Sequence, residues 1–69
     1  MKILNDIEYD CGRLICLDVF PRRVCMSPEI HDAFLAYCEA GGYSVERITT
    51  TAGTLIVERD ENETKYQIK

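Results

Sequence analysis

The sequence has no long apolar run, no close pair of cysteines, no cluster of basic residues and no glycine-rich loop. Each absence removes a class of protein. A membrane-spanning helix needs about 20 consecutive apolar residues, and no run approaches that length. Ile3 and Leu4 are followed at once by Asn5 and Asp6, so the apolar core of a secretory leader is missing. A cytoplasmic protein is expected, in a host cytoplasm if the source is a phage. Zinc sites are usually announced by close pairs such as C-x2-C. Cys11, Cys16, Cys25 and Cys38 are spaced too widely for that, and without a leader they read as reduced thiols. Neither a metal nor any other cofactor is expected. The net charge of −4 and the lack of clustered Lys and Arg argue against gripping a nucleic-acid backbone directly. Phosphate loops and nucleophile elbows are absent as well. His31, the single histidine, stands seven residues from Cys38, roughly 10 Å along a helix, too far for a direct hydrogen bond. No catalytic residue is therefore assigned, and the chain is not expected to be an enzyme.

What is present is the composition of a folded domain. Of 69 residues, 46% are hydrophobic and 29% charged, and that length fits one small domain. No linker, repeat or low-complexity segment divides it. The clearest local signal runs from Ser27 to Gly42. Ser27 is a good helix N-cap, and Pro28 suits the first helical position. Glu29 places negative charge at the positive end of the helix dipole. Gly41 and Gly42 can each adopt the left-handed conformation that closes a helix. Between them Ile30, Ala33, Phe34, Tyr37 and Cys38 follow the i, i+3, i+4, i+7, i+8 spacing of a helix with one apolar face. Ile30, Phe34 and Tyr37 are expected to pack on a sheet, with Leu17, Ile56 or their neighbours opposite.

The remainder reads as strand and turn. Residues 2 to 9 alternate, with Ile3, Ile7 and Tyr9 on one side, and predict a half-buried strand. Residues 10 to 13 predict a hairpin turn with Gly12 at positive φ. Residues 14 to 20 are apolar almost throughout, as in a central strand, with Asp18 near its margin and Pro21 ending it. Val24, Cys25 and Met26 form a short strand or an extended lead into the helix. Strands are expected at 45 to 51, 54 to 59 and 64 to 68, with turns at Ala52-Gly53 and at 60 to 63. The expected fold is α+β, in the order β-β-α-β-β-β. It is a two-layer sandwich with one amphipathic helix on an antiparallel sheet of about five strands.

With catalysis and cofactors set aside, binding to another protein is the expected function. Rival readings are a thiol- or metal-dependent protein using the four cysteines and His31, and a structural homo-oligomer. Size and acidity resemble the accessory proteins of phages and mobile elements, including those that inhibit or tether a host defence complex. Two exposed features are chemically distinct. Glu58, Asp60, Glu61 and Glu63 form an acidic tip suited to a basic partner, such as a nucleic-acid-handling complex. Arg22 and Arg23 form a basic turn of a residue type enriched at interface hot spots. If neither serves, the contact is expected on the open sheet face around Asp6, Glu8 and Arg47. A homodimer through the last strand is a further expectation, because small domains gain from a shared core.

Overall fold

The computed structural model describes residues 1–69. Its elements are α1 (Lys2–Cys16), β1 (Arg23–Met26), α2 (Pro28–Gly41), β2 (Arg47–Thr50), β3 (Gly53–Arg59) and β4 (Tyr66–Ile68). The α+β class holds, with two helices and a mixed sheet of four strands.

α2 forms where its signals place it. The Ser27 hydroxyl accepts from the Ile30 N–H at 3.2 Å, and Pro28 is the first helical residue. Gly42 closes the helix at φ 72, a conformation that costs a residue with a Cβ. Phe34 and Cys38 are buried and Ile30 half-buried, whereas Ala33 and Tyr37 lie towards solvent.

The first seventeen residues correct the expected order. The strand at 2–9, the hairpin at 10–13 and the start of the strand at 14–20 are one continuous helix. The apolar set Ile3, Leu4, Ile7, Cys11, Leu14 and Ile15 has helical spacing, and Ile7 and Cys11 reach full burial. Gly12 is an ordinary helical residue without positive φ. Asp18, at φ 58, takes the left-handed position after the helix. The Asp18 N–H donates to the Ile15 carbonyl at 2.9 Å, and the Val19 N–H to the Leu14 carbonyl at 2.8 Å. That pair of bonds closes a helix end when a left-handed residue follows it, and Asp tolerates the conformation better than most side chains. Residues 17 to 22 then form a connection, so Leu17 is exposed rather than opposite α2.

The sheet order is β2-β3-β1-β4. β1 runs parallel to β3 and antiparallel to β4, and β2 is antiparallel to β3. The expected antiparallel meander is therefore replaced by a mixed sheet with β1 inside it. β1 occupies that place because Val24, Cys25 and Met26 are all buried, as a strand with neighbours on both sides requires.

Both helices lie on one face of the sheet. Ile7 and Cys11 of α1 share a core with Phe34 and Cys38 of α2, Val24 and Met26 of β1, and Leu55 of β3. Strand alternation adds Ile48, Val57, Tyr66 and Ile68 at its margin. The thinnest dimension is 18 Å, room for one layer of helices about 10 Å across and one sheet. The other sheet face carries no covering element.

Candidate functional site

Strand alternation determines what the bare face displays. Leu55 and Val57 point to the helices, so Thr54, Ile56 and Glu58 point away. Ile56, expected to face α2, is instead 52% exposed. It pairs in register with Arg23 on one side and Arg47 on the other. One cross-strand row thus reads Arg47–Ile56–Arg23, with the two arginine Cα atoms roughly 10 Å apart at normal strand spacing. In the next row outwards, Thr49 pairs with Thr54. On the other side of Ile56, Glu58 pairs with Cys25, and Cys25 with Gln67.

Arg23 Nη1 lies 3.4 Å from Glu58 Oε1, and Cys25 Sγ lies 3.9 Å from Glu58 Oε2. Both charged side chains of this pair are about half exposed, at 53% and 43%, so it is worth at most about 1 kcal/mol. Arg47 forms no ion pair. The sheet face thus carries two guanidinium groups around an exposed isoleucine, with one carboxylate. The helix layer has the opposite character. α2 carries Glu29, Asp32 and Glu39 with no Lys or Arg, and α1 carries Asp6, Glu8 and Asp10 against Lys2 and Arg13.

The two features singled out in the sequence turn out to be connected. Arg23 and Glu58 meet because β1 and β3 are parallel neighbours. Arg22 is exposed and continues β1: its N–H donates to the Lys69 carbonyl at 3.4 Å, and its own carbonyl accepts from Ile56 N–H at 2.9 Å. The rest of the acidic tip is engaged locally. Asp60 Oδ1 accepts from the Asn62 N–H at 2.9 Å, and Glu63 Oε1 from the Thr64 N–H at 3.1 Å. Glu61 Oε1 accepts from Arg59 Nε at 2.8 Å, and Arg59 Nη1 also donates to Asp32 Oδ1 at 2.8 Å. The hydrogen bond to Glu61 and then that to Asp32 push the Arg59 pKa further up. Asp6 and Glu8 belong to α1, so Arg47 alone of that trio is on the open face. Ile56, expected in the core opposite α2, belongs instead to this exposed row. Its signal was the run Leu55-Ile56-Val57, in which alternation sends the middle residue away from its neighbours.

All four cysteines are free, and only Cys16 is exposed. Burial raises the pKa of Cys11 and of Cys38, which lowers their thiolate fraction and nucleophilicity at neutral pH. No three His, Cys, Asp or Glu side chains converge with the geometry to hold a metal ion. His31 Nδ1 is buried with no hydrogen-bond partner. A cleft of about 380 Å³ runs between α2 and β2, lined by Leu4, Phe34, Tyr37, Tyr43 and Ile48 among others. The Tyr37 and Tyr43 rings stack there with centroids 5.5 Å apart. Gly41 makes room for this stack, because a Cβ at that position would run into the Tyr43 ring.

Compared with protein-family models, with curated proteins and with solved structures, the chain matches none. Fold and surface define its class: a two-layer α+β sandwich with an acidic helix layer and an uncovered, arginine-bearing sheet face. No helix is long and apolar enough to cross a membrane.

Proposed function

We propose that the chain is a non-enzymatic protein-binding module that holds an acidic partner surface on the open face of its sheet. The observation that carries this reading is the row Arg47–Ile56–Arg23. It combines an exposed apolar centre with two arginines, on a rigid element that nothing in the fold covers. Apolar centres with polar rims are the usual anatomy of interfaces, and Arg is enriched at their hot spots. A sheet holds these side chains in fixed register, so little ordering cost remains on binding.

This revises the expected partner from basic to acidic. The carboxylates of the acidic tip are engaged by their own turn and by Arg59, whereas Arg47 has no counter-ion within the chain. The wider role expected from size and acidity, a small phage or mobile-element accessory protein that inhibits or tethers a host complex, would follow from occupying such a surface.

The test uses the purified chain as bait in extract from its source cell or host, followed by surface plasmon resonance on the isolated partner. Arg47→Ala and Ile56→Asp are expected to weaken binding at least ten-fold, the loss of about 1.4 kcal/mol typical of a hot-spot residue. Glu29→Lys on the helix layer serves as the control and retains it. A partner bound equally by all three variants places the contact elsewhere. A partner that is nucleic acid, held with a steep salt dependence, replaces the acidic protein in this reading.

A further inference from the structure

The two edges of the sheet are not alike. β4 is three residues long and flanked by Lys65 and Lys69, the short, charged edge that resists pairing. β2 offers Arg47-Ile48-Thr49-Thr50, with no proline, lysine or bulge. The Val57 N–H donates to the Glu46 carbonyl at 2.9 Å, and this bond sets the phase of the ladder. Glu46, Ile48 and Thr50 turn their backbone groups to β3, so Arg47 and Thr49 turn theirs outward. The next outward N–H, that of Thr51, is already taken by Glu8 Oε1 at 2.9 Å. The free edge is therefore bounded: it is the N–H and C=O of Arg47 and of Thr49.

We propose that this edge pairs with the same edge of a second copy of the chain, β2 against β2, antiparallel and centred on Ile48. In that register Arg47 lies opposite Thr49 of the second copy, and Thr49 opposite its Arg47. Each opposed pair exchanges two hydrogen bonds. Every free N–H and C=O on both edges is then met, and the Glu8 cap stays in place. Ile48 meets its own counterpart on the helix side, where it already lines the cleft with Tyr37 and Tyr43. The exposed Tyr43 and Val45 lead into this edge, so the second copy covers apolar surface as well.

Other registers are worse for identifiable reasons. Centring on Thr49 requires the Thr51 N–H that Glu8 holds. Centring on Arg47 opposes two like charges. A slip of one residue sets the outward-turned groups of Arg47 and Thr49 opposite residues whose own backbone groups turn to β3, so the hydrogen bonds cannot form. The favoured register is self-complementary, which is the reason for choosing a second copy over an unrelated strand. The like net charges of −4 oppose pairing, and salt screens them. The product is one continuous eight-stranded sheet with both Arg47–Ile56–Arg23 rows on the same face.

Sedimentation equilibrium from micromolar to millimolar concentration, at low and high salt, tests this. The wild-type chain is expected to reach twice its 7.9 kDa mass, to dimerise more tightly in salt, and to melt at a temperature that rises with concentration. Thr49→Lys keeps the backbone N–H and alters only an exposed side chain, but sets a lysine opposite Arg47 of the second copy. This variant is expected to stay monomeric with unchanged far-ultraviolet circular dichroism. Gln67→Lys, on β4, is expected to leave the dimer intact. A wild-type chain monomeric throughout, a dimer that survives Thr49→Lys, or one lost on Gln67→Lys overturns the proposal.

Discussion

Phe34 is the residue on which the two layers depend. It is 1% exposed and belongs to the core formed by both helices, β1 and β3. Phe34→Ala is expected to cost about 3–5 kcal/mol through the cavity it leaves. A domain of this length has only roughly 3–10 kcal/mol in total. Thermal unfolding should accordingly lose most of its cooperative transition or shift strongly downward. Tyr66 is a different kind of fastener. Its hydroxyl donates to the Asp10 carboxylate and ties β4 to α1. Burial first, and then the bond to Asp10, raise its pKa above the ordinary 10.0. The unfolded chain therefore gives up this proton near pH 10, while the folded chain still holds it. The stabilisation is complete below pH 10 and falls away as pH rises further. Cys11 and Cys38, raised from 9.0, act in the same direction and start the decline about one unit earlier. Urea melts from pH 7 to pH 11 are expected to show falling stability from about pH 9 upward. Tyr66→Phe should cost about 1–3 kcal/mol at neutral pH by removing a hydrogen bond to a charged group, and should flatten the fall above pH 10. Thiol reactivity gives a separate check. One thiol, Cys16, is expected to react rapidly in the native protein and all four after denaturation without reduction, because only Cys16 is exposed.

At the scale of elements, α1 contains a correctable weakness. Gly12 lies inside it, and a Cβ there would meet nothing within 4 Å. Gly12→Ala is expected to add about 1 kcal/mol by helix propensity, which for a domain of this size raises the melting temperature by about 4–8 °C. A scanning-calorimetry melt that fails to rise would contradict a helix at this position. The same glycine explains why α1 was hidden in the sequence. Met1 caps it without a side-chain bond, and no acidic residue occupies its first turn, so the usual start signals are missing. Ile3, Ile7 and Tyr9 fit an alternating pattern, and Asp10-Cys11-Gly12 resembles a turn. The longer series Ile3, Ile7, Cys11, Leu14 belongs to a helix, and only a window extending past Gly12 reveals it. α2 was legible because Ser27, Pro28 and Gly42 mark both of its ends. β1 was only half legible, since its apolar run is too short to distinguish a central strand from a lead into the helix. That uncertainty carried through to the site. Arg23 and Glu58 were each picked out, but their contact requires β1 to lie parallel beside β3, which no local pattern reveals.

The whole molecule is a charged sandwich with unlike sides. Its net charge of −4 conceals a helix layer that holds six of the twelve Asp and Glu residues and a sheet face on which Arg23 and Arg47 outnumber Glu58. An acidic partner approaching the helix layer is repelled, and one approaching the sheet face is attracted, so the layers together orient the encounter. This arrangement predicts how charge changes divide between the two rate constants. Glu39→Lys on α2 is far from the proposed contact and weakens the repulsive side, so it should raise the association rate modestly and leave dissociation unchanged. Arg47→Glu removes an attraction and a contact together, so it should slow association and speed dissociation. Glu63→Lys acts on a turn away from the row Arg47–Ile56–Arg23, so it should resemble Glu39→Lys. The reverse result, in which Glu63→Lys abolishes binding and Arg47→Glu does not, would restore the acidic tip as the contact and a basic protein as the partner. Raising the salt concentration should shrink the association-rate differences among all three variants, because charges separated by more than about 8–10 Å are screened at physiological ionic strength. The dissociation rate of Arg47→Glu should stay elevated at every salt concentration, because that side chain contributes its contact after the encounter is over.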